Sequence, residues 1–205
     1  MPRSEAKPSG GKDERIRAFF AVELGNGLRE AAAAVVAELR RRDARGDVRW
    51  VRTEALHVTL RFLGDVERAH LGGLVEAVAA QAASLAPFTL EIGALAAFPS
   101  PRKPRVVALG LLPHEPLARA AAAVERGVVA VGFAPEERPF RGHLTLGRTR
   151  GRRPPRLDDV AVPGHAPMPV RELVLFSSEL LAGGARYTPL ERVPLGSAND
   201  SEPRL

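Results

Sequence analysis

The chain is predicted to adopt an α+β fold in two lobes, with mainly antiparallel sheets and the helices outside. Three observations carry this. The apolar pattern switches repeatedly between a period near two and one near 3.6, so strands and helices alternate within one globular region. Several strand-like runs follow one another directly, and such strands often pair antiparallel. No glycine-rich loop joins a strand to a helix, which argues against a doubly wound parallel sheet.

Residues 16–23 (IRAFFAVE) are rich in aromatic and β-branched side chains and stop before Gly25, so they read as a strand. Residues 26–42 are Ala-rich and end in Leu-Arg-Arg-Arg, a basic end suited to the negative pole of a helix. Strands are expected at 48–51 and 56–63. Asp65 is then expected to cap a helix through about Leu85, with Leu71, Leu74, Val75 and Val78 on one face. Residues 88–98 read as a strand, and the Pro-rich PSPRKP as a hinge.

The second half repeats the order: a strand at 105–112, a helix at about 115–131 with Pro116 in its first turn, and a strand at 140–148. A Pro- and Arg-dense loop over 151–169 precedes strands at 170–180 and 187–195. The polar, aperiodic ends, 1–14 and 196–205, are expected to be disordered tails. One bilobal domain is expected over 15–195, with lobes of about 15–100 and 101–195; whether they exchange strands stays open.

Composition narrows function mainly by exclusion. The 205-residue chain has no cysteine, so disulfides, thiol nucleophiles and cysteine metal sites are ruled out. The N-terminus is polar and charged, unlike a secretory signal, and no apolar run approaches a bilayer span. A cytoplasmic location is expected. The net charge is +6, and all but three of the 30 basic residues are arginine. Arginine's planar donors match two phosphate oxygens at once, although coding bias explains such a composition equally well.

The specific signal is a repeated frame. His57-Val58-Thr59-Leu60 and His143-Leu144-Thr145-Leu146 lie 86 residues apart in a chain with five histidines and six threonines. In a strand, residues i and i+2 share a face, so each frame presents one imidazole and one hydroxyl above an apolar underside. If the two strands meet across a cleft, one imidazole can act as base while the other acts as acid. The threonine hydroxyls can donate to the non-bridging oxygens of a phosphoryl group.

Metal binding is disfavoured, because threonine is a poor ligand and no carboxylate sits at ligand spacing; no metal or cofactor is expected. Arg61 shares the predicted face of His57 and Thr59, and Arg141 that of His143. The two arginines either clamp phosphate or ribose, or simply mark exposed strand ends. Phe19, Phe20 and Tyr187 are candidates to stack on a base, against the commoner reading that they are core.

The stretches RIRAFFAVEL, WVRTEALHVTLRFLGDV, FPSPRKPRVVALG, GFAPEERPFRGHLTLGR and VLFSSELLAGGARYTPL resemble the bacterial and archaeal RNA 2′,3′-cyclic phosphodiesterases, also known as 2′-5′ RNA ligases. These belong to the two-histidine phosphoesterase superfamily. The resemblance covers about 16–195. It implies a pseudo-symmetric bilobal fold with a central cleft, and metal-independent hydrolysis of a 2′,3′-cyclic phosphate RNA end to a 2′-phosphate. It further implies reversible 2′-5′ joining of tRNA halves as a second activity. By motif position it makes His57 the proton donor and His143 the proton acceptor, with Thr59 and Thr145 as phosphate-binding residues. Val58 stands where relatives usually carry leucine, and Gly142 where many carry proline. The expected partner is RNA with a cyclic phosphate terminus, and the chain is expected to be monomeric. A non-catalytic RNA-end binder and a phosphodiesterase for small cyclic nucleotides are the alternatives.

Overall fold

The computed structural model describes residues 15–100, 103–150, 154–181 and 184–196. Its elements run β1 (Arg15–Glu23), α1 (Asn26–Arg42), β2 (Val48–Trp50), β3 (His57–Glu67), α2 (Leu71–Ala82), β4 (Phe88–Phe98), β5 (Val106–Leu112), α3 (His114–Ala130), β6 (His143–Thr149), β7 (Met168–Val170), β8 (Glu172–Leu181) and β9 (Gly184–Pro194). Short 3₁₀ turns at Thr53–Ala55 and Arg68–His70 precede β3 and α2. The tail expected over 1–14 lies outside the described residues. Of the one expected from 196, only Gly196 is described, its N–H donating to the Ala82 carbonyl.

The strands form two antiparallel sheets, in the orders β3-β1-β8-β9 and β2-β6-β5-β4-β7. Each sheet draws strands from both halves of the chain. The first takes β8 and β9 from the C-terminal half, and the second takes β2 and β4 from the N-terminal half.

Alternation along β1 separates two apolar environments. Ala18, Phe20 and Val22 join the main core with apolar residues of all three helices, whereas Phe19 and Ala21 point the other way and pack with Val174 and Phe176. One face of the first sheet is therefore sealed by helices, and the opposite face carries a smaller aromatic cluster. Among the described residues no helix is long and apolar enough to cross a membrane.

The helix expected from Asp65 starts later. β3 continues to Glu67, and Asp65 sits in it directly opposite Arg17 of β1. Gly64 adopts φ +74°, a left-handed conformation that glycine takes without strain, and the strand passes through it instead of ending. α2 then begins at Leu71 without a side-chain cap.

α2 and α3 approach each other at Gly127. A Cβ at this position would lie 2.7 Å from the Val78 Cα and 2.9 Å from the Val78 nitrogen, so backbone, not a flexible tip, blocks it. In an isolated helix Gly→Ala stabilises by about 1 kcal/mol. Here Gly127→Ala is expected to destabilise by about 1–3 kcal/mol because the helices must separate. A lowered urea midpoint for the variant checks this, and a raised one would show that the helices yield freely.

Candidate active site

Both frames begin a strand, His57 the first residue of β3 and His143 the first of β6. The two strands belong to different sheets and pass within 8 Å of each other. β2 joins them: Trp50 pairs with Gly147, and the Val51 N–H donates to the Leu146 carbonyl at 2.8 Å, only six residues before His57. The underside residues Val58, Leu60, Leu144 and Leu146 are buried in the main core, as the alternation predicts.

The imidazoles are held alike. His57 Nδ1–H donates to the Ala55 carbonyl at 2.8 Å, and His143 Nδ1–H donates to the Arg141 carbonyl at 2.7 Å. A carbonyl can only accept, so each bond places the proton on Nδ1 and leaves Nε2 as the working nitrogen. Thr59 Oγ1 lies 3.0 Å from His57 Nε2 and donates to it when the ring is neutral. Arg141 thus touches the site through its backbone, while its side chain is exposed.

His57 is packed in the aromatic cluster, its ring centroid 4.8 Å from that of Phe19 and 4.8 Å from that of Tyr187, the latter edge-on. His143 has Phe98 at 5.8 Å. Burial pushes the His57 pKa below its ordinary 6.5; the bond to Ala55 opposes this and the positive charge of Arg148 reinforces it. A shallow depression lined by Glu23, Glu54, Phe176 and Tyr187 keeps the ring within reach of solutes. Phe19 and Phe20 are wholly buried, Phe19 as the floor beneath His57 and Phe20 on the helix side. Tyr187 is half-buried at the edge of the cluster.

A bulge in each motif strand redirects the arginines. On β3, Phe20 pairs with Arg61 and Ala21 with Thr59, so Leu60 is an extra residue. Arg61 consequently faces the helix side. It makes a 2.7 Å ion pair with Glu125 of α3, a longer one with Glu136, and donates to the Ala134 carbonyl. Phe62 takes its place on the aromatic face, 5.4 Å from Phe19.

On β6, Val107 pairs with Gly147 and Ala108 with Thr145, which leaves Leu146 extra. Leu146 and Gly147 are both buried, and Arg148 emerges exposed on the side of His143 and Thr145. Arg148 is a site residue that the periodicity of the sequence does not reveal. Glycine at 147 is required by packing, since a Cβ there would lie 2.5 Å from Val48 and 2.9 Å from Trp50.

Two histidine–threonine frames on antiparallel sheets, backed by helices and joined by an arginine, are the arrangement of a two-histidine phosphoesterase. Known proteins agree, for the chain belongs to the family described as LigT like phosphoesterase, whose profile matches residues 22–108 and 110–187. The RNA 2′,3′-cyclic phosphodiesterase of Methanothermobacter thermautotrophicus is 35% identical over 185 residues, covering 86% of this chain and 97% of that protein. The Archaeoglobus fulgidus protein of the same name is 32% identical over 178 residues, covering 85% and 98%. Among solved structures, E. coli LigT complexed with 3′-AMP superposes with a TM-score of 0.72 at 28% identity, covering 89% of this chain and 99% of that one.

The arginine geometry yields a prediction. Arg61→Ala removes the ion pair of a part-exposed Glu125, which keeps the Glu136 N–H as a donor, and is expected to cost about 1 kcal/mol of stability with little change in KM. Arg148→Ala is expected to raise KM or lower kcat at least tenfold with stability preserved. Thermal melts alongside steady-state kinetics check both, and a KM defect confined to Arg61→Ala would reverse the assignment.

Proposed function

We propose that the protein is an RNA 2′,3′-cyclic phosphodiesterase that opens a terminal cyclic phosphate to a 2′-phosphate. The observation that carries this reading is the matched pair of histidines, each with its proton fixed on Nδ1 by the carbonyl two residues earlier and its Nε2 left to react. Acid–base catalysis needs two such nitrogens, one on each side of a phosphorus atom, whereas simple binding needs neither. The relatives' name supplies the substrate class.

In this mechanism His143 Nε2 takes a proton from water as its oxygen attacks phosphorus. His57 Nε2–H gives a proton to the departing 3′ oxygen, the P–O3′ bond breaks, and the phosphate stays on the 2′ oxygen. Thr59, Thr145 and Arg148 donate to the non-bridging oxygens, where negative charge accumulates. Both proton transfers are served by imidazole, so the step calls for no metal. With a 5′-hydroxyl in place of water as the nucleophile, the same step leaves the phosphate bridging O2′ and O5′ and releases O3′, as in the joining of tRNA halves.

His57 must enter this reaction protonated, yet burial and Arg148 favour its neutral form in the free protein. The phosphate anion offsets Arg148 and raises the ring's pKa, so His57 acquires its proton together with the substrate. Two signs follow. Substrate-analogue binding at pH 7 takes up a proton, seen as a buffer-dependent binding enthalpy. The value of kcat/KM falls as pH rises through the lowered pKa of His57 in the free protein. Proton release on binding, or a rise of kcat/KM across that interval, would exchange the roles of the two histidines.

The direct test uses a short RNA ending in 2′,3′-cyclic phosphate, assayed in EDTA. Turnover is expected to survive the chelator and to fall about 10²- to 10⁴-fold in His57→Ala and in His143→Ala. The product is expected to carry its phosphate on O2′. Activity abolished by EDTA and restored by a divalent ion would overturn the mechanism.

A further inference from the structure

Three arginines converge on the open face. Arg148 reaches it through the bulge in β6. Arg49 is its direct cross-strand neighbour on β2, flanked by Val48 and Trp50, which turn into the main core and so leave Arg49 on the face of Arg148. Arg17 lies on β1 two residues before Phe19, hence on the face of the aromatic cluster.

Tyr187 ties the three together. Ser178 pairs with Tyr187 and Ser177 with Ala18, so the β1–β8–β9 ladder sets Arg17 across from Tyr187. Arg49 Nη2 comes within 4.0 Å of where a Cβ on Gly184 would stand, three residues before Tyr187 on β9. Burial raises the pKa of the Tyr187 hydroxyl, and the charges of Arg148, Arg17 and Arg49 each pull it back down, so all three are in electrostatic reach of one atom.

Like charges directly opposite on neighbouring strands are destabilising. Arg61, Arg186 and Arg192 show how the chain compensates elsewhere, since each is ion-paired to glutamate. Among the described residues, Arg17, Arg49 and Arg148 have no ion-pair partner and no side-chain hydrogen bond, and Asp65, opposite Arg17, is not within 4 Å of its charge. Such a cluster is complementary to more than one phosphate.

We propose that Arg17 and Arg49 form a second phosphate-binding position beside the first, which takes the phosphodiester joining the terminal nucleotide to its 5′ neighbour. This rests on the reading that the first position, at the histidines and Arg148, holds a terminal cyclic phosphate. It makes an RNA end, rather than a small cyclic nucleotide, the preferred substrate. Guanidiniums from both sheets hold the strand, so the last internucleotide phosphate aligns the scissile group with the two Nε2 atoms.

The test compares three substrates: a nucleoside 2′,3′-cyclic phosphate, the same molecule with a 5′-phosphate, and a dinucleotide ending in 2′,3′-cyclic phosphate. For the unmodified protein, kcat/KM is expected to be about 10- to 100-fold higher for the dinucleotide than for the bare nucleotide, from two charge-assisted contacts. The 5′-phosphorylated nucleotide is expected to recover most of that gain. In Arg17→Gln/Arg49→Gln the ratio of dinucleotide to bare nucleotide is expected to fall to within a few-fold of one, while Arg17→Lys/Arg49→Lys keeps most of it. An unchanged ratio in the glutamine variant, or no gain from the 5′-phosphate alone, would overturn the proposal. Failure of the unmodified protein to open any of the three would instead remove the reading beneath it, a separate result.

Discussion

Everything at the cleft depends on an extra residue in each motif strand. Regular alternation would send the side chain four places after each histidine to the histidine's face. The bulges at Leu60 and Leu146 delay the return by one position, so that the fifth residue emerges there. In one strand this is Phe62 and in the other Arg148. The same local distortion thus builds an aromatic wall on one side and a cationic one on the other. The asymmetry suits a ligand with an apolar base and a charged phosphate.

The environments of the two histidines diverge as well. His57 sits among Phe19, Phe176 and Tyr187 and pays a desolvation cost when charged, whereas among the described residues Phe98 is the one aromatic ring beside His143. Their shared Nδ1 bonds fix one tautomer in both, so the two rings differ in the surroundings of Nε2. Thr59 completes the arrangement around His57, its hydroxyl 3.0 Å from Nε2.

The sequence made most of the fold legible because its helices carry clear apolar faces and its strands have β-branched cores. α1 and β4 match expectation to the residue. The frames were legible because two histidines in the same tetrad are chemically conspicuous. Arg61 and Arg148 were not, since a bulge depends on cross-strand pairing and leaves no mark on periodicity. The buried pair Leu146-Gly147, followed by arginine, is a signal that could have revealed the second bulge. Asp65 misled because a cap residue and a strand residue facing an arginine are the same amino acid; only the pairing with β1 distinguishes them.

The interleaving of the two sheets sets how the chain can be divided. A break in the connection between β4 and β5 would leave the first fragment without β8 and β9 beside β1, and the second without β2 and β4 beside β6 and β5. Each piece would expose unpaired strand edges, so neither has a finished surface of its own. The strand pairs that cross between the halves are what bring the two frames together, so the pair of imidazoles exists only once both halves have been synthesised and joined.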